Sequence, residues 1–169
     1  MRVSGWVETP LEQVDSDLVR RLYAYWRGLC AEGIPSWAQV DPADFAFALP
    51  LVFVTAIEWQ PFRVKYRLVG TVASAFHGNV TGQYLHEIKD WSKAKRTAIA
   101  DAYRLSAEER RATFWRESAR DRQDGEHTFF AAVLPLAPEG GEVDRCLAIE
   151  DYGGVSPESF LDLHPERDA

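Results

Sequence analysis

The sequence holds two cysteines, Cys30 and Cys146, spaced for neither a metal site nor a CxxC pair. A disulfide framework is therefore not expected, and reduced thiols in a cytoplasmic protein are the simpler expectation. Basic residues are short as well: 19 Lys and Arg against 26 Asp and Glu leave a net charge of -7. An acidic chain lacks the electrostatic footprint that phosphate backbones require, which sets nucleic-acid binding aside. Long apolar runs are missing too. The amino terminus, MRVSGWVETP, has no signal-peptide core, and no stretch approaches the length of a membrane span. No P-loop, no dinucleotide fingerprint and no metal-ligand spacing occurs.

What is present is a chain of 169 residues, 46% apolar and 27% charged, enough for one ordinary folded domain. Its organising stretch runs from Leu51 to Trp59. Leu51, Phe53, Ile57 and Trp59 alternate with Val52, Val54 and Ala56, so both faces of this strand are apolar and both require cover. A second strand (RVKYRLVG) alternates Val64, Tyr66 and Leu68 with Arg63, Lys65 and Arg67, which leaves one face wet. A turn centred on Pro61 and Phe62 would set Glu58 opposite Lys65.

Around this hairpin the pattern predicts helices. Thr9-Pro10-Leu11-Glu12 reads as a helix start, and Leu11, Val14, Leu18, Leu22, Tyr25, Trp26 and Leu29 lay one stripe as far as Gly33 and Pro35. Asp41 caps a short helix that Pro50 stops. Thr71 opens another that ends at Gly78. Ser92 caps a third through about Arg104, with Trp91, Ala94, Ala98, Ala102 and Leu105 inward. Ser106-Ala107-Glu108-Glu109 reads as a further helix start. Three strands close the chain: Thr113 to about Arg122, His127–Leu136 and Val143–Asp151, the first two joined through Asp124-Gly125. A lone hairpin is marginal in water, so the early pair joins the later three in one five-stranded sheet. The domain reading is an amino-terminal amphipathic helix and linker over 1–40, a sheet-and-helix unit over 41–155 and a tail over 156–169.

Two strands, a run of short helices and three antiparallel strands is the order of a PAS domain. Leu22-Tyr-Ala-Tyr-Trp26, Pro35, Asp41-Pro42, Leu49-Pro50, Tyr66-Arg67-Leu68-Val69-Gly70-Thr71, Phe76-His77-Gly78, Thr81-Gly82, Leu134-Pro135-Leu136 and Gly141-Glu142-Val143-Asp144-Arg145 resemble a bacterial family of short, stand-alone PAS-like proteins. The resemblance spans about 18 to about 150. It implies an α+β fold with sheet order 2-1-5-4-3, helices on one face and the amino-terminal helix on the other. The Asn-Cys-Arg-Phe type motif of flavin-adduct members is missing, so no flavin of that kind is expected. His77 and His86 are the helical-region imidazoles that could reach a haem iron, but a histidine beside a glycine turn is more often solvated or bonded to backbone.

The same resemblance points to the space between sheet and helices, where Tyr66, Leu68, Phe76, Tyr84, Tyr103 and Phe130 would surround a small apolar ligand. The plainer reading of those aromatics is a filled core. Gly70, Gly78 and Gly82 could cradle an anion but serve turn geometry more simply. Asp121, Asp124, Glu126 and His127 form a polar patch at a hairpin turn, where charges are ordinary. Cys146 falls opposite Leu147 and Ile149, and the inward sets (Val64, Tyr66, Leu68; Leu147, Ile149) carry no acid, so no catalysis is expected. The expectation is a cytoplasmic, non-catalytic sensory or regulatory module, with no output domain attached and no cofactor. It would act by contact with another signalling protein or a second copy. Leu22, Tyr23, Tyr25 and Trp26 are the interface candidates. The rival is a small α+β pocket enzyme or binding protein of the ketosteroid-isomerase type, which would need an ionisable pair deep in its cavity.

Overall fold

In the computed structural model, residues 4–160 are described, with side chains from Trp6 onward. The last part of the expected tail, 161–169, lies outside the described residues. The strands are β1 (Ser4–Glu8), β2 (Val52–Trp59), β3 (Phe62–Val69), β4 (Thr113–Arg120), β5 (Glu126–Leu136) and β6 (Arg145–Asp151). They form one sheet in the order β1-β4-β5-β6-β2-β3, antiparallel at every pairing. The five expected strands hold the expected order 2-1-5-4-3. The sixth, β1, is a correction to the expected count: SGWVE is too short and too mixed to announce a strand, and it becomes one by pairing with β4.

Two layers of helix cover the sheet. Helix α1 (Asp17–Leu29) sets its buried Val19, Leu22 and Trp26 against Val52, Val54, Leu134, Leu147 and Ile149. On the opposite face, α2 (Thr71–His77) and α3 (Lys93–Glu109) pack over Phe53, Ile57, Tyr66, Cys146 and Ala148. The doubly apolar alternation of β2 is thus used in full. Val52 and Val54 serve one core, Phe53 and Ile57 the other, and burying each such side chain contributes roughly 1.5–3 kcal/mol.

Local details depart from the sequence pattern for identifiable reasons. The first helix starts at Asp17 rather than at Pro10. Ser16 Oγ accepts the Val19 N–H at 3.1 Å, so Ser16 is the working cap. Leu11–Gln13 forms only a 3-10 turn, and Arg20 donates to the carbonyls of Val14 (2.7 Å) and Leu11 (2.9 Å) that a longer helix would have used itself. Leu51 closes the 3-10 segment Pro42–Leu51 instead of opening β2. The hairpin turn is Gln60-Pro61, which pairs Glu58 with Arg63 rather than Lys65. Helix α3 runs on to Glu109, so Ser106 is no cap: its buried hydroxyl shares its one proton between the carbonyls of Arg111 (2.7 Å) and Val133 (3.1 Å). The buried stripe of α3 is Ile99, Ala102, Tyr103, Ser106 and Ala107, while Ala94 is exposed.

Candidate functional site

Glu150 stands one residue from the end of β6, on the face that carries Cys146 and Ala148. The two-residue period of the strand turns its carboxylate beneath α2 and α3. Helix α2 stops at Gly78, whose φ of 82° suits glycine. That stop leaves His77 facing the sheet with a side chain 7% exposed. His77 Nε2 lies 2.5 Å from Glu150 Oε2, and Nδ1 lies 3.0 Å from Lys95 Nζ. With the proton on the more basic amine, these partners assign a neutral imidazole that donates from Nε2 to the carboxylate and accepts at Nδ1 from the ammonium. Tyr152 Oη donates to the same Glu150 oxygen at 2.6 Å. Trp91 Nε1 donates to the His77 carbonyl, and its ring lies 4.1 Å beneath the Lys95 ammonium.

A second carboxylate completes the cluster. Glu117 on β4 pairs with Phe129, and Glu150 pairs with Ala131, so both acids stand on one face of the sheet with β5 between them. Trp6 of β1 lines the same small cavity as Glu117 and favours the ionised form of that acid. Burial pushes the Glu117 carboxyl up to about 8, with Glu150 adding to the rise. Burial likewise brings the Lys95 ammonium down to about 8, against the pull of Glu150 and Glu117. His77 is held below its usual range by burial and by Lys95, against the pull of Glu150. For Glu150 burial pushes upward, but His77, Tyr152 and Lys95 together outweigh it and keep the acid ionised. Near neutral pH the cluster therefore holds one ammonium, one carboxylate, one neutral acid and one neutral imidazole. Chemically it can take up or release protons with almost no room to rearrange. Two cavities of about 10 Å³ are each lined by Glu150 and Trp6, one together with Phe129, the other with Tyr66 and Tyr103. Each has room for about one water.

The expected site residues scatter around this centre. Tyr66 of β3 and Tyr103 of α3 share the core between sheet and helix, and Phe76 packs in an adjoining cluster with Phe129, Tyr152 and Phe160. Tyr84 is at the rim, donating to Glu58 at 2.8 Å. Leu68 is 45% exposed, because an extra residue, Arg67, interrupts the pairing between Tyr66 and Leu68 and flips the alternation of β3. Phe130 belongs to the opposite core, beneath α1. Of the interface candidates, Leu22 and Trp26 are buried on the chain's own sheet, and Trp26 Nε1 donates to the Pro135 carbonyl at 3.0 Å. Tyr23 stacks on Trp26 and meets Phe114 edge-on, while Tyr25 accepts the Asp41 N–H.

Two expectations are overturned outright. His77 is neither solvated nor bonded to backbone through its ring. The inward set of β6 toward α3 is Cys146, Ala148 and Glu150, not Leu147 and Ile149, and it does carry an acid. Both sets of β6 are apolar, so alternation could not say which one faces α3. The available signal was Lys95, four residues after Trp91 and four before Ile99, a cation on the inward stripe of a helix. His86 is exposed beside Glu87. Asp121 accepts from the N–H groups of Gln123 and Gly125 and lies 2.7 Å from His127 Nε2, so that patch builds the β4–β5 turn. Among the described residues no group of three His, Cys, Asp or Glu converges as metal ligands.

A family model described as a PAS domain matches residues 14–149. The chain belongs to the PAS-domain family. No curated protein matches it. The matched span takes in α1, α2, α3, strands β2 to β5 and most of β6 of this PAS domain. It leaves out β1 and stops one residue short of Glu150. PAS membership supports a sensory or regulatory role at the level of the domain. No helix among the described residues is long and apolar enough to cross a membrane.

Proposed function

We propose that this PAS domain is a regulatory module that reads its signal in the Glu150 cluster and passes it on by contact with another protein or a second copy of itself. What carries the reading is where Glu150 stands in the chain. Its carboxylate gathers α2 through His77, α3 through Lys95 and the departing chain through Tyr152. The next residue, Asp151, accepts a 2.6 Å hydrogen bond from Ser16, the cap of α1. Tyr152 in turn stacks on Phe76 at 3.7 Å and anchors Phe160 through the same aromatic cluster. A change of charge at the cluster therefore bears on the helix that precedes the sheet and on the segment that leaves it.

The isomerase-type alternative asked for an ionisable pair deep in the fold, and His77 with Glu150 is such a pair. A substrate-sized chamber is the other half of that requirement. The two cavities beside the pair hold about 10 Å³ each, far below the ~300–1,000 Å³ of small-molecule sites. A proton is the signal that fits. Between pH 6.5 and 8.5 Glu117 ionises and Lys95 discharges, so the cluster passes from neutral to net negative. Hydrogen exchange at both pH values tests this on the intact protein and on Glu150→Gln. Protection of 152–160, relative to β5, should fall several-fold at pH 8.5 in the native protein and stay level in the variant. Equal relative protection at both pH values in the native protein sinks the reading.

A further inference from the structure

On the outer surface of α3, away from the buried cluster, a groove of about 460 Å³ opens between the β2–β3 hairpin end, the 3-10 turn Leu85–Glu87 and the first two turns of α3. We propose that this groove binds a small organic carboxylate with an apolar body. Its volume lies inside the range of small-molecule sites, ~300–1,000 Å³, and its walls divide by chemistry. Phe62, Val64, Leu85 and Ala100 supply an apolar floor, and Arg63, Arg96 and Lys93 supply cations. In a chain of net charge -7, no Asp or Glu among the described residues lines it.

The walls are held in place before any ligand arrives. Phe62 is fixed between an edge contact with Trp59 and the Arg104 guanidinium, 4.2 Å from its ring centre. Arg63 lies over the Tyr84 ring and is ion-paired to Glu58. Arg96 gives one N–H to the Ile88 carbonyl at 2.6 Å, which sets its guanidinium and leaves its other donors for a ligand. Lys93 is the exposed first residue of the 17-residue α3, so its ammonium adds to the positive end of a long helix. With Arg63 met by Glu58, Arg96 and Lys93 provide the charge, and the fork of Arg96 matches a carboxylate. A ring or branched chain on the ligand would lie against Phe62 and Leu85. The groove shares neither Glu150 nor His77 with the buried cluster, and the proposal stands or falls apart from the proton reading.

Calorimetric titration of the full chain with 2-naphthoate and with its uncharged counterpart, 2-naphthalenemethanol, tests it. The expected result is saturable binding of one naphthoate per chain, weakened by added salt, with the alcohol binding at least about tenfold more weakly. Thr97→Glu places a carboxylate in the groove on an exposed helical position and should lower naphthoate affinity by about tenfold or more. If that variant melts early, Lys93→Gln serves, with a loss of several-fold. Failure of naphthoate to saturate at millimolar concentration, equal affinity for the alcohol, or undiminished binding by a folded Thr97→Glu protein overturns the proposal.

Discussion

Ser16 and Asp151, 135 positions apart, share a 2.6 Å hydrogen bond in which the serine hydroxyl donates to Oδ2. The same hydroxyl oxygen accepts the Val19 N–H. One atom therefore caps α1 and fastens that cap to the end of β6. Ser16→Ala removes both bonds and should cost about 1–2 kcal/mol, measured by denaturant unfolding. Ser16→Thr keeps the oxygen and should recover most of the loss. An alanine variant as stable as the native protein would mean that the connection bears nothing.

Glu117 gives a stability profile with an unusual slope. Its folded pKa, about 8, lies above its unfolded value near 4.5. Its favourable contribution is therefore complete below 4.5 and is lost as pH rises toward 8. His77, with its folded value depressed, works in the opposite sense, its contribution being lost as pH falls below 6.5. Between 6.5 and 8 Glu117 acts without that opposition, and stability should fall by up to about 1.4 kcal/mol per pH unit. Glu117→Gln should flatten this part of the curve. A native protein whose stability holds level from 6.5 to 8 contradicts the burial of that acid.

Lys95 governs the next window. Its folded pKa of about 8 lies below the ordinary 10.5, so its contribution is complete above 10.5 and is lost as pH falls through 8. Stability should consequently pass through a minimum near pH 8 and recover above it. Lys95→Met keeps the stem against Trp91 and removes the charge. It should abolish the recovery and, because burial outweighs the attraction of Glu150 and Glu117 for the ammonium, stabilise the protein at pH 7. Thermal melts of both proteins across pH check this: a variant that still recovers above pH 8, or that is no more stable than the native protein at pH 7, contradicts it.

Trp26 is buried against the chain's own sheet. Trp26→Ala should cost about 3–5 kcal/mol and leave the sedimentation of the folded protein unchanged. Trp26→Phe, which gives up chiefly the bond to the Pro135 carbonyl, should cost nearer 1 kcal/mol. A clear change in oligomeric state would return this helix to the role of an interface.

Gly70 carries a different constraint. A Cβ there would stand 2.4 Å from the Leu49 and Pro50 carbonyl oxygens, backbone atoms that cannot swing aside. Its φ of -62° is ordinary, so the demand is for space rather than conformation. Gly70→Ala should destabilise by more than about 2 kcal/mol, read by thermal melting. A neutral result would show that the 3-10 segment before β2 yields easily.

The central strands were legible because their alternation is nearly free of exceptions. Val52 to Ile57 could satisfy two apolar sets only inside a sheet covered on both sides, and that single deduction places α1 opposite α3. Edges are harder, since β1 owes its existence to β4 and not to any pattern of its own. Arg67 shows how one extra residue reverses a reading: before it Tyr66 faces inward, after it Leu68 faces water. The buried cluster hid for another reason. His77 and Glu150 lie 73 positions apart, and a single carboxylate at the end of an apolar strand looks like the beginning of a loop. Lys95 stands in the charged run Lys93-Ala94-Lys95-Arg96, and only the rotation of α3 distinguishes it from its exposed neighbour Lys93.

Anyone preparing this protein inherits a consequence of the outermost strand. Trp6 roofs Glu117, and it does so from a five-residue ribbon that a cautious engineer would trim or replace with a purification handle. Cutting there lets solvent reach the acid, returns its titration toward that of an ordinary glutamate and bares the flank of β4 to whatever chain drifts past. Measurements of proton response and of self-association would then describe the truncated molecule, with both altered at one stroke.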